Sequence, residues 1–309
     1  MQCSAPGRSR RPARPRRAPA AFTLLELLIA IAIIGILASL ILTVAGAANI
    51  KARNAQVGVD ISDLSKGIAA FKQKFGVEPP SRITLYEQAS GWNGDPRSMG
   101  IIRQIWPQFD FTYAAYTGNQ IDINGNGAMT DTITITGSEC LVFFLGGVPQ
   151  LNGTTVGQPP MGFSQNPSDP FNRNGSNRDR FTEFDASRLF LYAGHTMNTY
   201  KDTLPGQSQP YLYLSSYNGQ GYDVANELTP SPPLGTFTDV YRQGPNGFST
   251  SNPSPPWNAN SYQIISPGAD AAYGIGGEYE SGDPKGLLVG TRSTERDNIT
   301  NFSTGPLAP

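Results

Sequence analysis

The feature that most constrains this chain is an uninterrupted apolar run near its start. From Leu27 to Leu42 every side chain is Leu, Ile, Ala, Gly or Ser. Residues 22–44 would form a helix about 35 Å long, enough to cross a hydrocarbon core about 30 Å thick. The run therefore predicts a transmembrane helix over residues 22–45.

One ionisable side chain, Glu26, lies within residues 22–44, and a basic leader precedes this segment. An unpaired carboxylate at membrane depth costs several kcal/mol, so Glu26 is a candidate functional residue. The leader, residues 1–21, contains no acid and six arginines: Arg8, Arg10, Arg11, Arg14, Arg16 and Arg17. Basic residues before an apolar span predict that the N-terminus lies in the cytoplasm.

Beyond the apolar run the helical pattern continues but becomes amphipathic. A stripe of apolar residues lies on one helical face, with charged residues on the others. The stripe consists of Ile50, Val57, Ile61, Leu64, Ile68, Phe71 and Phe75. Gly76 and the following Pro79-Pro80 are typical of a helix end. We therefore expect one helix from Phe22 to Phe75, whose second half is the amphipathic segment 46–76.

The remainder, residues 77–309, is punctuated by loops rich in Gly, Pro and Asn. Alternating or β-branched runs predict short strands in it. These are Thr132–Thr136, Leu189–Tyr192, Tyr211–Ser215, Tyr262–Ser266 and Leu287–Val289. The apolar run Glu139–Leu145 fits either a short helix or a buried strand, since its length does not decide between them. The predicted fold class is α+β, a long N-terminal helix packed on an antiparallel sheet in a loop-rich globular domain.

The order of sequence features at the N-terminus resembles a known signal. A basic leader, a small residue, Phe22-Thr-Leu-Leu-Glu26 and an apolar helix are similar to the prepilin signal of type IV pilins and type II secretion pseudopilins. The resemblance implies that a prepilin peptidase cuts between Ala21 and Phe22 and methylates the new amine. The family usually has Gly where this chain has Ala21.

The resemblance also implies a role for Glu26 in assembly. In the family this glutamate meets the N-terminal amine of a neighbouring subunit, so that two buried charges become a pair. The alternative is a pair within one subunit, because Glu26 lies one helical turn from Phe22. The position of Glu26 in the sequence does not separate these two interpretations.

Two loops are candidate calcium sites. Oxygen-bearing side chains at Asp122, Asn124, Asn126, Thr130 and Asp131, with Gly127 between them, resemble the first part of an EF-hand loop. The bidentate Glu expected at the twelfth position is missing, and Ile133 stands there. The same residues also favour an ordinary Asn/Gly turn between two strands.

The second candidate lies near the C-terminus. The segment Ser266–Asp270 and the later segment Asp297–Phe302 resemble two segments that share a calcium ion in major pseudopilins. Asp270 and Asp297 are the ligands that this resemblance implies. The alternative is that both are solvated loop acids.

Several function classes have little support. Without the leader the chain has 17 basic and 24 acidic side chains, which argues against a nucleic-acid partner. Cys140 would be the only cysteine after loss of Cys3 with the leader, so no disulfide is expected within the mature chain. The single histidine, His195, belongs to no recognised catalytic motif, and a packed or surface position is the expected one. We therefore expect a protein that is not an enzyme.

These features together predict a structural subunit of a type IV pilus-like or type II secretion pseudopilus filament. It would be held in the inner membrane by one span and assembled by a membrane platform with a cytoplasmic ATPase, next to other pilins. The mature form would lie in a periplasmic or cell-surface filament. The alternative is a membrane-anchored extracytoplasmic domain that binds a ligand or acts as a carboxylate-based hydrolase.

Overall fold

The computed structural model describes residues 23–150, 158–227, 237–244 and 254–308, and within the first helix it omits the side chains of residues 40–44 and 47. The chain divides into two compact units, Met1–Ile50 and Lys51–Pro309. Each unit is described by itself below.

The secondary structure combines helices with short strands. The helices are α1 (Leu24–Phe75), α2 (Pro96–Ile105), α3 (Ser138–Gly146) and α4 (Val224–Glu227). The strands are β1 (Arg82–Tyr86), β2 (Thr132–Thr136), β3 (Phe163–Ser164), β4 (Arg178–Asp179), β5 (Leu189–Phe190), β6 (Thr199–Tyr200), β7 (Leu212–Ser215), β8 (Tyr241–Gln243), β9 (Tyr262–Ser266), β10 (Gly277–Tyr279) and β11 (Ile299–Thr300). Short 3₁₀ helices cover Ala89–Gly94, Ala186–Arg188 and Gly290–Glu295.

The first unit contributes the start of α1, whose large apolar side chains are exposed. The exposed residues are Leu24, Leu25, Leu27, Leu28, Ile29, Ile31, Ile33, Ile34, Ile36, Leu37 and Ile50. Within the part of the chain that the structure describes, no helix is long and apolar enough to cross a membrane. The transmembrane helix predicted over residues 22–45 is therefore not confirmed.

In the second unit, the rest of α1 buries one face. Val57, Ile61, Leu64, Ile68 and Phe71 are each at most 3% exposed, so these members of the predicted stripe do face the core. The helix ends at Phe75, as the sequence predicts, and Gly76 follows with a φ of 78°. The amide of Gly76 donates to the carbonyl of Lys72 over 2.8 Å, which satisfies one of the last carbonyls of the helix.

The strands form several small sheets rather than the one sheet that the sequence predicts. β1 pairs antiparallel with β2, from Arg82 opposite Thr136 to Tyr86 opposite Thr132. The three-stranded sheet has the order β11-β9-β7 and is antiparallel throughout. β8 and β10 form a parallel pair. The strands have only two to five residues, because Gly, Pro and Asn interrupt the ladders.

The predicted strands have different outcomes. Thr132–Thr136 and Tyr262–Ser266 are strands over the predicted bounds, and Tyr211–Ser215 and Leu189–Tyr192 are strands over part of theirs. Leu287–Val289 is not a strand, so that prediction was wrong. The carboxylate of Asp283 accepts the amides of Leu287 and Leu288 over 2.6 and 3.1 Å, and these are donors that a ladder would use.

The ambiguous run Glu139–Leu145 is helical and lies within α3. Every residue of α3 is buried, which explains why its sequence shows no amphipathic period. The cysteine within it, Cys140, is a buried free thiol that donates to the carbonyl of Ile135 over 3.3 Å. Burial raises the pKa of the Cys140 thiol well above its usual value.

Two hydrophobic clusters share the three-stranded sheet. Tyr213 and Ile264 belong to the larger cluster, together with α3 and the buried face of α1. Their chain neighbours Leu212 and Ile265 belong to the second cluster, with Tyr241. Successive side chains of a strand point to opposite faces, so one short sheet separates the two cores.

Candidate functional site

The N-terminus of α1 is closed by a capping box made by Thr23 and Glu26. The Glu26 carboxylate accepts the Thr23 amide over 2.9 Å and the Thr23 hydroxyl over 3.0 Å. In return, the Glu26 amide donates to the Thr23 hydroxyl over 3.2 Å. This reciprocal arrangement satisfies two of the amides that a helix leaves unpaired at its start.

This capping role was not part of the sequence prediction, although Thr23-x-x-Glu26 carries its signature. Glu26 is exposed in the first unit, so its carboxylate is open to a further partner. The predicted cleavage pair, Ala21 and Phe22, lies outside the described residues. The first site therefore has one described member, Glu26, and one described partner, Thr23.

The loop of the first candidate calcium site is held by its own hydrogen bonds. Asp122 is buried and accepts the amides of Gly125 and Gly127 over 2.6 and 3.0 Å. The amide nitrogens of the Asn124 and Asn126 side chains both donate to one oxygen of Asp131, over 2.9 and 2.7 Å. Three of the predicted ligands thus meet, but with nitrogen rather than oxygen atoms turned toward Asp131.

The oxygens of the same asparagines are also engaged. Asn124 accepts the amide of Asn126 over 3.0 Å, and Asn126 accepts the amide of Ala128 over 2.7 Å. Thr130, the remaining predicted ligand, is exposed. A calcium ion here would need the two side-chain amides to turn and would break these turn bonds.

Two residues outside the predicted set, one buried and one half-buried, fix this loop. Glu87 is fully buried and accepts the amides of Ile123 and Asp131, each over 2.9 Å. Burial, and the charge of Asp131 to a smaller degree, raise the pKa of Glu87. Arg173 donates to the carbonyls of Asp122 and Ile123 over 3.0 and 2.8 Å. No local sequence signal links Glu87 or Arg173 to this loop, since both are far from it along the chain.

The second candidate pair, Asp270 and Asp297, is brought together by the fold. β11 pairs with β9 with Ile299 opposite Ser266, which places the two C-terminal segments side by side. One oxygen of Asp297 accepts the amides of Ala269 and Asp270 over 2.6 and 3.2 Å. Burial and the Asp297 charge raise the pKa of Asp270.

The close approach at this pair depends on Gly268. Its φ is 69°, and a Cβ at this position would lie 2.5 Å from Cγ of Asp297, closer than van der Waals contact permits. The neighbouring Ser266 is also engaged, since its hydroxyl donates to buried Asp202 over 2.5 Å. Among the residues described, no group of three or more His, Cys, Asp or Glu side chains is placed to hold a metal ion. Calcium at either loop stays a prediction.

His195 is packed, one of the two positions that the sequence predicts for it. Its Nδ1 lies 2.8 Å from a carboxylate oxygen of Glu139, and both side chains are at most 5% exposed. Glu139 also accepts the amides of Thr136, Thr196 and Met197 over 2.9–3.2 Å. This carboxylate ties the start of α3 to β2 and to the loop that carries His195, a structural role that satisfies four donors.

The comparisons with known proteins concern the N-terminus. Residues 16–42 match the family described as the prokaryotic N-terminal methylation motif. No curated protein and no solved structure matches the chain. The matched segment contains the predicted cleavage bond, Glu26 and the whole apolar run from Leu27 to Leu42. The chain thus carries at its N-terminus the methylation motif that is the signature of type IV pilins and pseudopilins.

Proposed function

We propose that this chain is a pilin-like precursor that becomes a structural subunit of a type IV pilus-like or type II secretion pseudopilus filament. The observation that carries the proposal is the match of residues 16–42 to the N-terminal methylation motif. In this proposal a prepilin peptidase cuts the bond between Ala21 and Phe22 and methylates the new amine. The protein then acts through assembly.

The exposure of the first unit supports assembly. Eleven large apolar residues between Leu24 and Ile50 are exposed within it. Leaving such surface in water is unfavourable by about 25 cal/mol per Å², and contiguous apolar surface of this kind marks a membrane or protein contact. We propose that lipid covers these side chains in the inner membrane and that neighbouring pilin helices cover them in the filament.

The basic leader and the acidic remainder support the orientation. Arginines before the apolar segment favour a cytoplasmic N-terminus, which places residues 51–309 on the far side of the membrane in a single-pass arrangement. An inner-membrane platform driven by a cytoplasmic ATPase would then move the subunit into a periplasmic or cell-surface filament.

Glu26 has two roles in the proposal. In the precursor it caps α1 through Thr23. In the filament its charge would pair with the Phe22 amine of a neighbouring subunit, since two charges at membrane depth cost less as a pair than apart. The capping bonds use one carboxylate oxygen, Oε2, and leave the other free of bonds to Thr23.

Processing is tested by mass spectrometry of the N-terminal peptide from cells that express the full chain. We expect a mature chain that begins with methylated Phe22. The variant Ala21→Gly should be processed in the same way, because Gly is the usual residue of the family, whereas Ala21→Arg should remain uncut. An intact Met1 in membrane-bound wild-type protein would refute the proposal.

The role of the Glu26 charge is tested by two variants that separate it from capping. Glu26→Gln removes the charge but keeps an oxygen that accepts from Thr23, whereas Thr23→Ala removes the hydroxyl and keeps the charge. We expect both variants to be processed, and only Glu26→Gln to lose filaments in the sheared cell-surface or periplasmic fraction. Equal filament loss in the two variants would assign Glu26 to helix capping alone.

A further inference from the structure

The dipeptide Asn-Gly occurs seven times in this chain. Such a dipeptide can convert its asparagine to aspartate without an enzyme, because glycine has no side chain to hinder the approach of its own amide nitrogen to the asparagine side chain. The copies begin at Asn93, Asn124, Asn126, Asn152, Asn174, Asn218 and Asn246. Those at Asn152 and Asn246 lie outside the described residues, which leaves five copies with a described structure.

The nucleophile of this reaction is the backbone nitrogen of the glycine. It attacks Cγ of the asparagine and gives up its proton, while the side-chain nitrogen takes up a proton and leaves as ammonia, so that a succinimide ring forms. Water then opens the ring. Cleavage of the bond from the glycine nitrogen to Cγ gives aspartate, and cleavage of its bond to the backbone carbonyl carbon gives isoaspartate. Since the glycine nitrogen must move toward Cγ, a hydrogen bond that holds this amide protects the asparagine.

The two copies in the loop after Asp122 have this amide engaged. The amide of Gly125 donates to one carboxylate oxygen of Asp122 over 2.6 Å, and the amide of Gly127 donates to the other over 3.0 Å. The side chains of Asn124 and Asn126 are held as well, by the bonds described above. Neither reacting group is free in either copy, so both asparagines are protected.

The copies at Asn93 and Asn218 are protected in two other ways. The amide of Gly219 donates to the carbonyl and to the hydroxyl of Ser216, each over 3.1 Å. Gly94 is the last residue of the 3₁₀ helix Ala89–Gly94, a conformation in which amides donate to carbonyls three residues earlier. Exposure alone therefore does not expose the nucleophile, because Asn93 and Asn218 lie at the surface but precede a fixed amide.

The copy at Asn174 differs from the other four. Asn174 and Gly175 are both exposed. Among the described residues, neither the amide of Gly175 nor the side chain of Asn174 has a hydrogen-bond partner. The bonds of this loop use other groups, since the amide of Asn174 donates to the side-chain oxygen of Asn172 over 2.7 Å and Arg178 donates to the Asn172 carbonyl over 2.8 Å. Both reacting groups are thus free to approach each other.

We propose that Asn174 is a site of spontaneous deamidation in the folded protein, and that the fold selects it over the other four described Asn-Gly copies. The substrate is the chain itself, with water as the second reactant. The product adds one negative charge to the exposed loop between β3 and β4, and its isoaspartate form also adds one methylene to the backbone. This modification goes beyond the proposed filament role and does not depend on it.

The test follows the purified full chain over time in detergent at mildly alkaline pH, where the glycine amide loses its proton more readily. Peptide mass spectrometry with electron-transfer fragmentation measures aspartate and isoaspartate at each Asn-Gly copy. A parallel sample unfolded in guanidinium chloride gives the rate of each copy without the fold. The ratio of the folded to the unfolded rate is then compared among the copies, because it cancels the effect of neighbouring side chains.

We expect this ratio to be at least about tenfold higher for Asn174 than for each of the four protected copies, which react only when their loops open locally. Asn174→Gln is the matched control and should remove the product at this position, because the larger ring that glutamine would form closes more slowly. Asp122→Ala removes the acceptor of the Gly125 and Gly127 amides. It should therefore raise the folded-state rates at Asn124 and Asn126 and leave the rate at Asn174 unchanged.

A ratio at Asn174 that is no higher than the ratio at Asn93 or Asn218 would overturn the proposal. So would equal rates at Asn124 in the wild type and in an Asp122→Ala variant that keeps its native circular dichroism. If the Asp122 variant does not fold, the wild-type comparison of folded with unfolded rates decides the proposal by itself.

Discussion

The same kinds of side chain have opposite surroundings in the two units of this protein. Between residues 24 and 50, the leucine and isoleucine side chains that the structure describes are half or more exposed, and Leu24 reaches 79%. Beyond residue 51 of the same helix, Val57 and Phe71 are fully buried. A helix forms in both regions, but among the described side chains the apolar ones of the first region are exposed and those of the second are buried within its own unit.

The contrast indicates where each region obtains its stability. The described hydrogen bonds of side chains in the first unit are local, such as Thr23 with Glu26 and Ser39 with the carbonyl of Ile36. The second unit has long-range partners, such as Asp60 with Arg188 over 2.9 Å. The recognised motif lies in the first unit. The second unit has a full core and no recognised relative.

The largest expected effect on the free energy of unfolding comes from replacing one large apolar side chain by alanine in each unit, which tests this contrast. Phe71 packs against the rings of Phe75, Phe144 and Phe181 at 4.6–5.9 Å. Phe71→Ala should lower the free energy of unfolding by about 3–5 kcal/mol, because it leaves a cavity. Leu28→Ala should change it by less than about 0.5 kcal/mol, since Leu28 is exposed.

The measurement for this pair is chemical denaturation followed by tryptophan fluorescence, since all three tryptophans belong to the second unit. A Leu28→Ala variant as unstable as Phe71→Ala would contradict the division between the units. Filament yield should respond in the opposite order. For the same loss of unfolding free energy, a substitution in the first unit should lower filament yield more than one in the second unit, because the first unit acts through contacts with other molecules in the proposed function.

A pH effect of somewhat smaller size is expected from Glu227. Burial raises the pKa of Glu227 to about 7. A carboxyl group whose pKa rises on folding stabilises the native state fully at pH values below its unfolded pKa, near 4.5, and loses that contribution as the pH rises through 7. At about 1.4 kcal/mol per pKa unit, the loss should be on the order of 3 kcal/mol.

The variant Glu227→Gln isolates this contribution, since it keeps an acceptor for the Tyr217 hydroxyl. The difference in unfolding free energy between wild type and this variant should change between pH 4.5 and 7. Asp223→Asn is the control, because hydrogen bonds from Arg97 and Asn226 help to lower the pKa of Asp223 despite its partial burial. Its difference from wild type should stay constant over that range. A constant difference for Glu227→Gln as well would show that Glu227 does not titrate there.

Two glycines on α1 sharpen the comparison at the scale of one methyl group. A Cβ at Gly67 would lie 2.0 Å from the Thr182 hydroxyl, whereas a Cβ at Gly58 would meet no atom within 4 Å. Gly67→Ala should destabilise by about 1–3 kcal/mol through overpacking. Gly58→Ala should stabilise by about 0.5–1 kcal/mol through helix propensity. Melting temperatures that shift in the same direction would contradict this packing of α1.

The features that could be predicted from the sequence are those with a local period. The buried stripe at Val57–Phe71, the helix end at Gly76 and the strands Thr132–Thr136 and Tyr262–Ser266 all follow from spacing or punctuation within a few residues. The N-terminal motif is also local, and the match over residues 16–42 confirms the resemblance. The capping box Thr23-x-x-Glu26 has the same kind of local signal.

The features that could not be predicted depend on residues far apart in the chain. Nothing near Glu87 indicates that it fixes the loop at Asp131, and nothing near Glu139 indicates that it contacts His195. α3 is buried on all sides, so its sequence has no amphipathic period. The meeting of Asp270 with Asp297 was suggested by resemblance alone, and the register of β9 with β11 supplies its physical reason.

The smallest expected effect distinguishes the two candidate calcium loops. At Asp270 and Asp297 a cation would relieve the repulsion that helps to raise the pKa of Asp270. At Asp122–Asp131 it would have to displace amide donors that already satisfy Asp131. We therefore expect calcium at the C-terminal pair, with millimolar affinity typical of weak extracellular sites.

Calcium at ten times its dissociation constant should raise the free energy of unfolding by about 1.4 kcal/mol. Thermal unfolding of the full chain at neutral pH, with calcium or magnesium chloride at equal ionic strength, measures this shift. Asp297→Asn should abolish it and Asp122→Asn should leave it unchanged, because only Asp297 contacts the amides of the paired segment. The opposite pattern of variants would move the site to the Asp122 loop, and an equal shift with magnesium would reduce the effect to general screening by cations.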